Sequence, residues 1–152
     1  MKTIASFTVD HRKIRPGMYI SRVDGDVTTY DLRMRKPNTG DLISNAAMHS
    51  LEHLFATMIR NSDLGEQILY FVPMGCQTGF YLLVRHAEHQ RVIDTGLQTL
   101  QNITEYDGPM PGASEIECGN FRNLDVELAK IESRRHRDAI LGIVPADLQY
   151  AQ

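Results

Sequence analysis

The 152-residue sequence contains no apolar run near the roughly 20 residues that a membrane-spanning helix needs. It also lacks any excess of basic side chains: 16 Lys and Arg stand against 19 Asp and Glu, a net charge of −3. That balance argues against nucleic acid, or an anionic membrane, as the main partner. Internal repeats, low-complexity tracts and linker-like stretches are missing as well, so one domain over residues 1–152 is expected. Residues 1–6 have no apolar signal-peptide core, which leads to an expectation of a cytoplasmic protein. Cysteine is scarce, limited to Cys76 and Cys118. In a reducing compartment such thiols are more often metal-binding or catalytic than bridged.

What remains is an ordinary globular composition, 42% hydrophobic and 23% charged, with enough chain for one core. Residues 4–10 read as an arm or an edge strand. Strands are expected over 18–23 and 27–35, joined by the turn Asp24-Gly25-Asp26. In the second of these Thr28, Tyr30, Leu32 and Met34 share one face, while Thr29, Asp31, Arg33 and Arg35 share the other. Such alternation suits a sheet with one face on a core and the other on solvent or a cleft. A helix follows, capped by Asp41 or Ser44, with Ala47, Leu51, Leu54, Phe55 and Met58 on its inner stripe. Further strands are expected over 68–72 and 80–84, and a helix over 87–104 with Val92, Ile93, Gly96, Leu97 and Leu100 inward. Asn123 is the expected cap of a last helix reaching residue 140, with Leu124, Leu128 and Ile131 buried. His86, His89 and His136 read as surface residues. Hairpins plus separate helices give an α+β fold in two layers, an antiparallel β-sheet packed against helices.

The chemistry begins with His49-Ser50-Leu51-Glu52-His53, an H-x-x-E-H pattern on the first helix. A helix turns about 100° per residue, so the two histidines lie about 40° apart and Glu52 within about 100° of both. Two imidazoles so placed can bind one divalent metal, and an adjacent carboxylate can move protons. The pattern is that of the inverted zincins, and the histidines fall opposite the inner stripe. A catalytic metal usually takes three protein ligands and keeps one open position. Cys118, in Glu117-Cys118-Gly119, is a candidate third ligand, with a small buried apolar role as its alternative. Cys76 follows Pro73-Met74-Gly75 in a glycine-rich turn, where a thiol can serve as acid, base or nucleophile, or remain inert.

Taken together, these segments resemble the S-ribosylhomocysteine lyase family (S-ribosylhomocysteinase, LuxS) over nearly the whole chain. The resemblance rests on Ser6-Phe7 with Asp10-His11, Tyr30-Asp31-Leu32-Arg33, Lys36-Pro37-Asn38 and the H-x-x-E-H helix. It continues through Ile59-Arg60, the run from Pro73 to Tyr81, and Glu117-Cys118-Gly119. It implies the LuxS/MPP-like metallohydrolase fold and a homodimer with its sites near the subunit interface. One divalent metal per subunit, Fe(II) natively with Zn(II) or Co(II) as substitutes, would be held by His49, His53 and Cys118. Glu52 and Cys76 would form the acid–base pair. Ser6, Phe7 and His11 would reach the partner's site, and Arg33 and Arg60 would shape the substrate pocket. The implied reaction cleaves S-ribosyl-L-homocysteine to L-homocysteine and 4,5-dihydroxy-2,3-pentanedione, the precursor of autoinducer 2 in quorum sensing.

The chain departs from that pattern in three places. Residues 15–22 carry an apparent small insertion; Tyr70 replaces an Asp, and Thr29 a Lys, at positions associated with the amino-acid end of the substrate. Arg35 or Lys36 is the candidate substitute charge for that end. The alternatives are an inverted-zincin metallopeptidase, a structural-zinc module, and a substrate-binding homologue with little turnover.

Overall fold

Alternation along the second strand sets the architecture. The computed structural model describes residues 1–152 and contains β1 (Gly17–Asp24), β2 (Val27–Arg33), β3 (Ile68–Pro73) and β4 (Gly79–Arg85). They form one antiparallel sheet in the order β1-β2-β4-β3. Its helices are α1 (Asn45–Arg60), α2 (His89–Thr104) and α3 (Val126–Ile140). This is the α+β, sheet-on-helix arrangement expected from the sequence. The N-terminal segment is an arm carrying a short 3-10 turn, Ala5–Phe7, and not an edge strand.

The inner face of the sheet carries Tyr30, Leu32, Phe80, Leu82 and Phe71, all buried. Against it α1 lays Leu51, Leu54, Phe55 and Ile59, the i, i+3, i+4 spacing of an amphipathic helix. Burying each such side chain is worth about 1.5–3 kcal/mol. Phe55, Phe71 and Phe80 stack in series, with centroid separations of 4.3 and 4.5 Å. Phe55→Ala would therefore open the centre of the core, at a typical cost of about 3–5 kcal/mol. Helix α2 adds Val92, Ile93, Leu100 and Ile103.

The helix starts follow local chemistry. The Ala47 amide donates to Ser44 Oγ at 3.2 Å, which settles the cap of α1. Glu88 accepts from the Gln90 and Arg91 amides and starts α2 at His89. Helix α3 is capped by Asp125, which accepts from the Glu127 amide at 2.8 Å, and not by Asn123.

Several expectations fail in α2, α3 and β2, most of them because tertiary packing covers a second face. Helix α3 packs against both α1 and α2. Its buried residues are Ala129, Glu132, Ser133, His136 and Ile140, whereas Ile131 is exposed. His136 is thus not a surface residue: it is 1% exposed, and burial lowers its pKa to about 4. His89 is half-buried, its Nδ1 at 2.6 Å from Tyr30 Oη, and only His86 of the three is exposed. Strand β2 ends at Arg33, and its outer face is not open, because Asp31 and Arg33 are 0% and 3% exposed. Arg35 is buried too, paired with Glu132 at 2.6 Å and Asp41 at 3.1 Å, so it is not a free cation.

Candidate metal centre and acid–base site

Helix α1 presents His49 and His53 one turn apart, with ring centroids 4.6 Å from each other. The third group arrives from far along the chain. Cys118 Sγ lies 3.4 Å from His49 Nε2 and 3.7 Å from His53 Nε2. The three donor atoms fall within 4.8 Å of one another. Metal–nitrogen and metal–sulfur bonds of about 2.05 and 2.3 Å at a tetrahedral angle would separate N and S by about 3.6 Å. The observed distances bracket that value, so the donor set fits a divalent ion.

The outer nitrogens of both rings are already engaged. His49 Nδ1 is 2.7 Å from Asn123 Oδ1, and His53 Nδ1 is 2.8 Å from the Pro111 carbonyl oxygen. Both partners are acceptors, so each Nδ1 carries the proton and each Nε2 offers its lone pair to the cluster. Two loops make this possible. The 3-10 turn Phe121–Asn123 carries Asn123, and Ser50 Oγ anchors the next residues by accepting from the Asp125 amide at 2.8 Å. In the other loop Gly112 has φ +69°, and a Cβ there would stand 2.9 Å from His53 Nδ1. Only glycine satisfies both that backbone and that ring.

Glu52, half-buried, stands between two cavities. One, of about 340 Å³, is lined by His49, Glu52, Asn45 and the turn residues Pro73, Met74, Gly75 and Gln77. The other, of about 350 Å³, is lined by Glu52, His53, Arg60, Tyr70, Pro111 and Gly112. Larger depressions elsewhere on the surface carry no His, Cys and carboxylate cluster of this kind.

Cys76 sits in the turn that forms the far wall of the first cavity. The turn is held at its ends: the Met74 amide donates to the Gly79 carbonyl, and the Ile43 amide to the Gln77 carbonyl. The Met34 and Arg35 amides both donate to the Thr78 carbonyl. At Gly79 a Cβ would stand 2.4 Å from the Leu32 carbonyl oxygen, so β2 and β4 can meet there only at a glycine. The Cys76 thiol is exposed to the turn's surface and lies 3.0 Å from Thr78 Oγ1. Arg33 Nη1 donates to that same hydroxyl at 2.9 Å, and Arg33 Nη2 pairs with Asp31 at 2.7 Å. Burial pulls the Arg33 pKa down, but Asp31 more than offsets this, so it lies above its ordinary value.

The predicted residues therefore fall into three groups. His49, His53 and Cys118 converge, with Glu52 beside them, while Cys76 lies in the facing turn between the lining residues Gly75 and Gln77 and does not itself line the cavity. Arg60 is exposed on the second cavity, where Nη2 donates to the Leu69 carbonyl at 2.6 Å and the guanidinium lies over the Tyr70 ring. Arg33 lines neither cavity and is held under the Cys76 turn. Ser6, Phe7 and His11 are not brought to either cavity; Phe7 is 74% exposed, and His11 Nδ1 is spent on the Val9 carbonyl.

Sequence reasoning missed Asn123, Gly112 and Thr78. A signal for the first existed: Asn123 and Asp125 are both cap-type residues, and one helix start needs only one of them.

Comparison with known proteins accounts for this constellation. The S-Ribosylhomocysteinase (LuxS) family model matches residues 4–144. An S-ribosylhomocysteine lyase of Borreliella afzelii is 42% identical over 156 aligned residues, covering 99% of each chain. Those of Desulfotalea psychrophila and Clostridium beijerinckii are 41% and 39% identical, again over 99% of each chain. With a His/His/Cys donor set, a glutamate beside it and a family match and relatives that span nearly the whole chain, the protein belongs to the S-ribosylhomocysteinase (LuxS) family.

Proposed function

We propose that residues 1–152 act as one domain that cleaves the thioether of S-ribosyl-L-homocysteine, releasing L-homocysteine and 4,5-dihydroxy-2,3-pentanedione. The observation that carries this reading is the convergence of His49, His53 and Cys118 beside Glu52, across one cavity from the Cys76 turn. A thioether resists attack by water, so the C–H next to the carbon bearing sulfur must first become acidic. Moving the sugar carbonyl from C1 to C2 and then to C3 achieves that. Elimination then breaks the C5–S bond: the C4 proton goes to a base, and sulfur leaves with the electron pair and is protonated.

His49, His53 and Cys118 would hold one divalent ion, Fe(II) in the cell with Zn(II) and Co(II) as substitutes. The ion supplies Lewis-acid stabilisation of the negative oxygen that develops at each carbonyl shift. Glu52 would be the proton carrier on the metal side of the cavity, and Cys76, from the turn behind the opposite wall, its counterpart. Each takes a proton from carbon or oxygen and returns it one atom along the chain. Arg60 and Tyr70 form the wall of the adjoining cavity and would face the amino-acid end. A third ligand that is cysteine, where an inverted-zincin peptidase calls for an acid, disfavours the peptidase reading.

The arm with Ser6, Phe7 and His11 would complete the site of a partner subunit in a homodimer, which its exposure supports. Sedimentation of the metal-loaded protein at single-chain mass would refute the dimer. The product is the autoinducer 2 precursor, which would connect the reaction to quorum sensing in the cytoplasm. The direct test is release of free thiol from S-ribosylhomocysteine by iron- or cobalt-loaded protein, followed with a thiol reagent. No release sinks the lyase reading. Glu52→Gln and Cys76→Ser should abolish release with metal content intact, and Cys118→Ser should strip the metal.

A further inference from the structure

The last residues of the chain do more than terminate it. After the short 3-10 turn Pro145–Leu148, Leu148 is buried in the core beside α2, and two residues later Tyr150 lies on the opposite side of the sheet. There its ring stacks on Tyr19 at a centroid distance of 5.0 Å. Tyr19 pairs across the sheet with Asp31, and Asp31 with Tyr81, so these side chains form one row on the outer face. Tyr150 Oη donates to Asp31 Oδ2 at 2.7 Å. The direction of donation is fixed, because burial and then Asp31 push the phenol well above its ordinary pKa range.

A continuous path follows from that contact. Asp31 pairs with Arg33 at 2.7 Å, Arg33 Nη1 donates to Thr78 Oγ1 at 2.9 Å, and Thr78 Oγ1 meets Cys76 Sγ at 3.0 Å. Asp31 and Arg33 are fully desolvated, so neither can exchange a lost partner for water. Asp31 faces two donors on Oδ2, from Arg33 and from Tyr150, and a third on Oδ1 from Arg33 Nε.

We propose that Tyr150 is a positioning residue: the C-terminal tail closes the outer face and orients Asp31, Arg33 and Thr78 so that Thr78 holds the Cys76 thiol. The proposal rests on Cys76 being an acid–base group, and it assigns a role in that site to a segment outside both cavities. Loss of the phenol hydroxyl leaves the Asp31 charge less compensated, and Arg33 turns further toward it and away from Thr78. The charged and titratable groups around Cys76 are then Asp31 and Arg33 on β2 and Tyr81 on β4, with His49 and Glu52 on α1 across the cavity. With Asp31 less compensated, the thiolate is less favoured.

The test compares Tyr150→Phe, which keeps the ring, with Tyr150→Leu, which removes ring and hydroxyl, both in the zinc-loaded protein. Iodoacetamide alkylation of Cys76 is followed peptide by peptide across pH, so that Cys118 is read separately. Both variants should raise the midpoint of Cys76 alkylation by about half a pH unit. They should also lower kcat for thiol release about tenfold, with KM changed less than twofold, the scale of one hydrogen bond to a charged group. A wild-type midpoint in Tyr150→Phe with a shift only in Tyr150→Leu means packing alone, and overturns the proposal. Unchanged midpoints in both, even with lowered thermal stability, overturn it as well. Alkylation needs no turnover, so shifted midpoints alongside an iron- or cobalt-loaded wild type that releases no thiol would refute the lyase reading and leave the role of Tyr150 at the Cys76 thiol standing.

Discussion

Asn123→Ala is the perturbation that most directly probes how the metal centre is built. The wild-type side chain accepts the Nδ1–H of His49 at 2.7 Å, which fixes both the tautomer and the plane of the ring. No other polar contact holds His49 Nδ1, so the variant frees the ring to rotate and to place its proton on Nε2. A hydrogen bond to a charged group is worth about 1.5–3 kcal/mol, and metal binding makes the imidazole cation-like. Conversion at about 1.4 kcal/mol per decade gives a loss of affinity of roughly 10- to 100-fold, the range expected for a metal-supporting residue. Competition with a chromophoric zinc chelator reads this constant directly. Asn123→Asp should retain or tighten binding, since a carboxylate accepts the same proton more strongly. Affinity within twofold of wild type in Asn123→Ala would show that the ring is held by packing, and the hydrogen-bond account would fail.

Two further outcomes follow from other parts of the fold. Gly112→Ala places a Cβ at φ +69° and 2.9 Å from His53 Nδ1, so it should cost about 1 kcal/mol or more in stability and weaken metal binding; unchanged values in denaturant and chelator titrations would contradict this. His136 is buried as the neutral imidazole, with its pKa lowered from 6.5 to about 4, and neither ring nitrogen has a partner. The unfolded chain therefore binds the extra proton first. The stability linked to this group is complete above pH 6.5 and is lost as pH falls toward 4, a total of about 3 kcal/mol. Urea unfolding of wild type and His136→Leu across that window should show a steeper pH slope in the wild type, and parallel slopes would refute it. The comparison also cancels any metal loss, which both proteins share.

The sequence carried the local half of this protein. Spacing alone put His49 and His53 on one side of α1 with Glu52 beside them, because helix periodicity is a property of the backbone. The alternation of β2 gave the correct inner face, Tyr30 and Leu32, for the same reason. It could not say what covers the other face. Asp31 and Arg33 read in the sequence as a face on solvent or a cleft, and they are buried because Tyr150, 119 residues from Asp31, comes back over Asp31 while Thr78 of the Cys76 turn meets Arg33. Likewise the basic run 134–137 on α3 looks solvated, yet His136 points inward because α1 and α2 both pack on that helix.

The motif also left its own completion open. Tertiary structure brings Cys118 to the histidines across 65 residues of chain, and brings Asn123 and Pro111 behind them. Local sequence fixes which direction a side chain takes from its own element. Only the packing of distant elements decides which side chains those directions meet, and the metal centre, the Cys76 turn and the buried Asp31–Arg33 pair all depend on such meetings.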